Sequence, residues 1–360
     1  MNSIHAAALL HFLVLSALLL GREAAGGASK SQDEAVAAIE KLGGKVVVDQ
    51  NRPEKPVIGV DFGWNERVTD RDLEPLKSFP HLRSVMLEKT NITDAGIEHL
   101  RGFSRLKSLN IAATSVTEGV MDFIGGLHEL ESLNISRLPV SDEGLRQLRG
   151  LTELEYLNLG LIESITDAGL GNLEGLTNLK ELEVFETNIT DAGMEHLKDL
   201  TKMESLMLRW NSNLTGASLV HLRGMSNLQY LNLSGARVSD ADLIHLKGLA
   251  HLRNLSLRST LVTDTGVAQL ASFSKLESLS LMGTELTDTG LEHLKGLMML
   301  RELDLDGTAI TDAGLKHLAG LTNLVNLQAN HTGVTADGKR KLFETIEKHR
   351  QGQSEAPQNY

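Results

Sequence analysis

Residues 300–321 read LRELDLDGTAITDAGLKHLAGL, and this stretch decides the fold because it is the most regular copy of a unit that recurs along nearly the whole chain. Its landmark is the Thr-Asp step at Thr311 and Asp312. Equivalent positions are Thr69, Thr93, Thr117, Ser141, Thr166, Thr190, Thr215, Ser239, Thr263, Thr287 and Thr335, so the landmark occurs twelve times. Successive copies lie 24 residues apart, except for 25 between Ser141 and Thr166 and between Thr190 and Thr215. A near-constant period of this length marks a solenoid, in which each unit packs only on its neighbours. It overrides the two or three globular domains that 360 residues would otherwise lead one to expect.

Within the unit, Leu303 and Leu305 alternate with polar residues, the period of a strand with one buried face, while Leu315 and Leu318 at i and i+3 fit a short helix. A lone unit cannot bury the interior these leucines share. Stacking at about 4.8 Å makes a parallel sheet backed by a leucine column. Thr311 is placed to cap the helix and Asp312 to face the positive end of its dipole. Nine of the twelve copies keep this Asp, and helix capping accounts for the column of carboxylates better than calcium, since no Gly-Gly-x-Gly-x-Asp repeat is present. Gly266, Gly290 and Gly314, three residues after the landmark, predict close backbone approach, and Asp72 and Asp242 in the same slot imply that it tolerates a side chain.

The pattern over residues 57–336 resembles the leucine-rich repeat family, and its T-D-x-G-L form is similar to the cysteine-containing class of that family. Thr90, Thr114, Thr187, Thr260, Thr284, Thr308 and Thr332 stand where that class places cysteine or asparagine. With AVAAIEKLGGKV as a cap behind an export signal, the overall style is similar to exported repeat proteins of planctomycete-like bacteria. The resemblance implies an α/β leucine-rich repeat solenoid, a curved horseshoe with a parallel sheet on the concave face and short helices on the convex face. It also implies that the concave face binds another protein.

Outside the repeats, residues 6–20 read AAALLHFLVLSALLL, an apolar run suited to the core of a signal peptide and short for a membrane span, which needs roughly 20 residues. The expected organisation is a signal peptide over 1–28, an N-terminal cap of helix plus strand over 29–56 and the solenoid over 57–336. A C-terminal cap helix over 337–350 and a loose tail over 351–360 follow. The protein is therefore expected to be exported, as a periplasmic, envelope-associated or secreted chain, and to contact a membrane only if the signal segment stays uncleaved.

Lys and Arg number 35 against 47 Asp and Glu, a formal charge of −12, which disfavours nucleic acid because phosphates demand a basic face. The absence of cysteine removes disulfides, thiolate metal sites and a cysteine nucleophile. His99, His196, His221, His245, His293 and His317 share one slot before a helix leucine and read as repeat consensus on the convex side rather than as metal ligands. No Ser-His-Asp set, phosphate loop or zinc-protease motif occurs, so the chain reads as non-enzymatic, with no cofactor or metal.

Functional candidates emerge once the consensus is subtracted. Outward strand positions are mostly small or amide residues, such as Ser108, Asn110, Ser132, Asn134 and Ser278. Against them stand Tyr156, Phe185, Met207, Arg209, Trp210, Tyr230 and Arg258. Trp, Tyr and Arg dominate interface hot spots, so these seven form the candidate surface for a protein or peptide partner; the alternative is a ladder that packs across adjacent strands. Both 25-residue spacings fall here and predict a bulged loop at the sheet edge, and Trp64-Asn65 and Trp210-Asn211 share a position at which such a pair fills the longer loop. Glu181, Glu183 and Glu186, and Glu302, Asp304 and Asp306, read as solvated acidic faces, with a basic partner or a divalent cation as alternatives. The leading reading is an exported recognition module, and the alternative is a structural or self-associating envelope scaffold.

Overall fold

The computed structural model describes residues 30–354. The export signal expected over 1–28 lies outside the described residues. The chain divides into two compact units, Met1–Val140 and Ser141–Tyr360.

The first unit opens with the helix Lys30–Lys41, which buries Ala35 and Ile39 and is followed by Gly43 at φ 84°. Strand β1 (Lys45–Val48) then pairs antiparallel with β2 (Val57–Asp61). From β2 onward the strands are parallel: β3 (Ser84–Met86), β4 (Ser108–Asn110) and β5 (Ser132–Asn134) align Val60, Val85, Leu109 and Leu133.

The second unit continues the grammar with β6 (Tyr156–Asn158), β7 (Glu181–Glu183), β8 (Ser205–Met207) and β9 (Tyr230–Asn232). After these come β10 (Asn254–Ser256), β11 (Ser278–Ser280), β12 (Glu302–Asp304) and β13 (Asn326–Gln328). All pair in parallel without a register shift, so the central leucines from Leu157 to Leu327 form one column facing the core. Each of these leucines is at most 2% exposed, and full burial of a leucine contributes about 1.5–3 kcal/mol.

From β2 onward, each strand exit turns through a left-handed residue. Trp64, Lys89, Ala113, Arg137, Leu161, Glu186, Trp210, Ser259 and His331 occupy this slot at φ between 53° and 65°, with glycine at 235, 283 and 307. A side chain there costs roughly 1–2 kcal/mol. The conformation persists because it aims the amide at the next strand exit: Lys89 N–H donates to Ala112 O at 3.0 Å, Trp210 to Ser234 O at 2.7 Å and Ser259 to Met282 O at 2.8 Å.

Behind the strands, the expected short helices are mostly single α turns that tighten into 3₁₀ turns, as in Asp264–Val267 followed by Ala268–Ser272. Thr263 caps this one, its hydroxyl accepting from Thr265 N–H at 3.3 Å. The aspartates do more than face a dipole. Asp240 accepts from both the N–H and the hydroxyl of Thr263, at 2.8 and 2.6 Å, in the next repeat. The same double link joins Asp264 to Thr287, Asp288 to Thr311 and Asp312 to Thr335. It also joins Asp142, Asp167 and Asp191 to Thr166, Thr190 and Thr215, and in the first unit Asp70 and Asp94 to Thr93 and Thr117.

This relay explains why glycine predominates in the slot. A Cβ on Gly96 would lie 2.5 Å from Asp70 Oδ1, and one on Gly266 would overlap the Asp240 carboxylate. The slot tolerates a side chain even beside a delivered aspartate, as Val120 shows with Asp94 and Ser218 with Asp191, and it takes an aspartate of its own in the repeat that follows Gly216. Gly216 stands in the aspartate position before Ser239, and Asp242 folds back onto the N–H and hydroxyl of Ser239 at 2.8 and 2.6 Å. A Cβ on Gly216 would in turn overlap Asp242. Asp72 serves Thr69 in the same way.

The closing helix runs from Ala336 to Ser354, four residues beyond the expected end at 350. It buries Leu342 and Ile346, and near its end Arg350 donates from Nη2 to Leu324 O at 3.0 Å, tying the last turn to the preceding repeat. Among the described residues, no helix is long and apolar enough to cross a membrane.

Candidate interaction surface

Because the middle residue of β6 to β13 faces the core, the first and third face outward, and the in-register pairing aligns them as two rows across the sheet. The seven candidates sit on these rows or at the strand exits. They are much more buried than an exposed patch would be: Tyr156, Phe185, Met207 and Tyr230 are each under 9% exposed, whereas Trp210 is 39% exposed. Arg209 and Arg258 are half-buried.

Three groups form. In the first, the Tyr156 hydroxyl donates to Glu183 Oε1 at 3.0 Å, and the Asn158 amide donates to Glu183 Oε2 at 3.0 Å and to the Tyr156 oxygen at 3.3 Å. Glu183 is therefore only 7% exposed, which overturns its assignment to a solvated acidic face; the neutral donors of β6 compensate its lost hydration. In the second, Phe185 lies against Gly160, the Arg209 guanidinium stacks 4.0 Å from the Phe185 ring centroid, and Arg209 Nη1 reaches Glu186 Oε1 at 3.5 Å. In the third, Trp210 lies on Gly235, which has φ 74° and where a Cβ would collide with the indole, and the Arg258 guanidinium sits 5.7 Å from the indole ring. The candidates thus pack across neighbouring strands, and Trp210 with parts of the two arginines faces solvent.

Two polar atoms on this surface are buried without a hydrogen-bond partner among the described residues: the Tyr230 hydroxyl and Arg258 Nε. Burial pushes the Tyr230 phenol up to about 12, opposed by the adjacent Asn232 amide, raised further by the Glu183 charge and lowered by Arg209. Tyr156 is raised well above the ordinary phenol value, first by burial and then by Glu183.

Asn211 was not singled out as a site residue, and it is fully buried. It accepts from the Thr187 N–H and hydroxyl, both at 2.9 Å, and donates to Val184 O at 2.7 Å and Leu208 O at 3.0 Å. The longer loop therefore turns its asparagine inward and its tryptophan outward. The first such loop does the same: Asn65 donates to Leu42 O at 2.6 Å, while Trp64 is 67% exposed beneath the Lys89 ammonium, 3.2 Å from its ring centroid. The shared Trp-Asn pair was the available signal.

On β12, Asp304 accepts from the Ser280 hydroxyl at 3.0 Å, and beyond the strand's end Asp306 accepts from Asn330 N–H at 2.6 Å. Among the described residues no group of three or more His, Asp or Glu side chains is arranged to hold a metal ion. At the strand entries, Glu204, Asn227, Gln229, His251 and Arg253 line an open depression of about 260 Å³. Its polar groups are engaged locally, with Gln229 donating to Glu204 at 3.2 Å and Arg253 pairing with Glu277.

A strand, a left-handed exit and a short capped helix, repeated in register over a leucine column, define an α/β repeat solenoid. Residues 67–348 match the family model described as a leucine-rich repeat region, and the chain belongs to the leucine-rich repeat family. No curated protein matches it. Among solved structures it is similar to an internalin (inlF) of Listeria monocytogenes, with a TM-score of 0.60 and 21% identity over 88% of this chain and 93% of that one. It is also similar to the functional domain of InlJ from the same organism, which includes a cysteine ladder, with a TM-score of 0.51, 18% identity and coverage of 77% and 63%. A leucine-rich repeat protein of Leptospira interrogans gives a TM-score of 0.50 at 17% identity, covering 76% and 79%. At these identities the likeness is one of fold.

Proposed function

We propose that this chain is a non-enzymatic, exported recognition module that binds a protein or peptide on the outward sheet face of β6 to β13, the concave face of a leucine-rich repeat. The observation that carries the reading is Trp210, held outward by its left-handed backbone and flanked by Arg209 and Arg258, on a face whose other positions are mostly serine or amide residues. Such residues dominate interface energetics, and a register-locked sheet spends little entropy on ordering when a partner docks. The family's general use as an interaction scaffold supports the same reading. The apolar run over residues 6–20 supports export.

The test is a peptide-display selection on the full chain, followed by titration calorimetry of the selected peptides against wild type and the Arg209→Ala and Trp210→Ala variants. Each substitution is expected to weaken binding by about 1–3 kcal/mol with the fold intact by circular dichroism. Wild-type affinity in both variants would reject this surface.

A further inference from the structure

We infer that the partner presents one carboxylate, an aspartate or glutamate side chain that docks on the Arg258 guanidinium, in an otherwise uncharged extended stretch whose apolar side chain, two residues away, lies on the Trp210 indole. This rests on the reading of the sheet face as the binding surface.

Arg258 is set apart by a charge that nothing else in the chain answers. Among the described residues four arginines are half-buried: Arg52, Arg209, Arg258 and Arg350. Arg52 pairs with Asp49 at 3.5 Å, Arg209 with Glu186 at 3.5 Å, and Arg350 with Glu347 at 3.3 Å and with the carbonyls of Thr322 and Leu324. Arg258 makes no ion pair and no side-chain hydrogen bond among the described residues. Its Nε is sealed from solvent, whereas its two Nη groups, equally without partners, keep contact with water. The indole 5.7 Å away attracts the cation but offers it no oxygen. A guanidinium held there, partly stripped of water and with its planar fork open, matches a carboxylate in both charge and geometry.

The surroundings favour an anion at this place. From β8 to β11, up to the left-handed residue that ends each exit, the only charged residues on the outward face are Arg209 and Arg258. Outward carboxylates resume on β7 and β12, three and two strands from β10, or about 14 and 10 Å at ~4.8 Å per strand. They repel a second acid, so the site takes one carboxylate and rejects an acidic run. Arg209 is already offset by Glu186, which leaves one unanswered positive charge. That charge balances a carboxylate, whereas a phosphate group at about −1.5 to −2 would leave charge over. The formal charge of −12 on the whole chain opposes an acid mainly from afar, where salt screens it beyond about 10 Å.

Trp210 supplies the neighbouring contact. It is 39% exposed, and its indole adjoins the arginine. Side chains two residues apart on an extended chain share a face and stand about 7 Å from each other. An acid on Arg258 therefore brings such a neighbour over the indole.

The test selects displayed random dodecapeptides on the full chain and remakes the winners with amidated C-termini, so that no terminal carboxylate remains. They should share one aspartate or glutamate with an apolar residue two positions from it. Changing that acid to its amide should weaken binding to wild type by about 10-fold, yet by less than about twofold to Arg258→Gln, where the acid has already lost its partner. Winners without a shared acid, or an equal loss on both proteins, overturn the carboxylate assignment. If such winners still lose affinity on Trp210→Ala, the binding surface stands and only the acidic partner falls; if no peptide is selected, or none responds to either variant, both fall. Stability gives a second readout. Arg258→Met should keep the urea midpoint at or above the wild-type value, because the cation it removes satisfies nothing within the fold, and a clear fall would make Arg258 a packing residue and overturn the proposal.

Discussion

Burial holds the Tyr230 phenol neutral up to about pH 12, whereas in the unfolded chain it ionises near its ordinary value of 10. Between those values the unfolded chain has released a proton that the native chain keeps, so stability that is fully present below pH 10 falls as pH rises toward 12. Thermal melts at stepped alkaline pH should show this decline, and Tyr230→Phe should make the curve shallower; an unchanged slope would place the titration elsewhere. At the same scale, Gly266→Ala drives a Cβ into the Asp240 carboxylate and should cost about 2 kcal/mol or more by chemical denaturation. Adding Asp240→Ala should restore part of that loss, because the two side chains compete for one space. The local role of Thr263 and Asp264 was legible from capping rules. Their inter-repeat partners, 23 positions away, were not, because local rules do not say which neighbour receives a carboxylate.

Elements in this protein are short because each strand must end in a left-handed turn that serves the next strand. Ser259 and Gly283 occupy equivalent turns at φ 53° and 65°. Gly283→Ala should therefore destabilise by about 1–2 kcal/mol, the cost of a Cβ in that region. Ser259→Gly should be neutral to slightly stabilising, since relieved strain is offset by about 0.5–1 kcal/mol of added chain entropy. Paired urea denaturation curves distinguish these outcomes from equal effects at both sites. Asn211→Ala has a larger expected effect, about 3 kcal/mol or more, since it strands the Thr187 donors and two backbone carbonyls inside the longer loop. The extra residue in that loop was visible as a change of spacing. That asparagine would turn inward was not, because spacing alone does not separate a bulge from an inserted hydrogen-bonding hub.

At the scale of the whole molecule, the repeat period alone made the solenoid legible, since 24-residue units with alternating leucines leave few other ways to bury their interior. The state of the candidate surface was harder to read. Burial of Tyr156 and Glu183 depends on side chains from adjacent strands, and alternation along one strand marks both simply as outward. Removing the chain from Ala336 onward should uncover the apolar end that Leu342 and Ile346 cover, lowering the melting temperature and promoting aggregation in light-scattering assays. An unchanged melting temperature would show that the last strand needs no cover.

The handing of each aspartate to the following repeat bears on how such arrays change length. A repeat carrying both the aspartate and the glycine, such as the one at Thr263, can be copied beside itself, because every copy provides the carboxylate its successor needs and leaves room for the one it receives. The repeat at Thr215 cannot, since Gly216 offers nothing to a duplicate whose Ser218 slot holds no compensating acid. Tandem duplication should therefore be inherited readily among repeats that carry both residues, such as those at Thr263, Thr287 and Thr311, and be purged within residues 215–242, fixing that pair of repeats as a landmark.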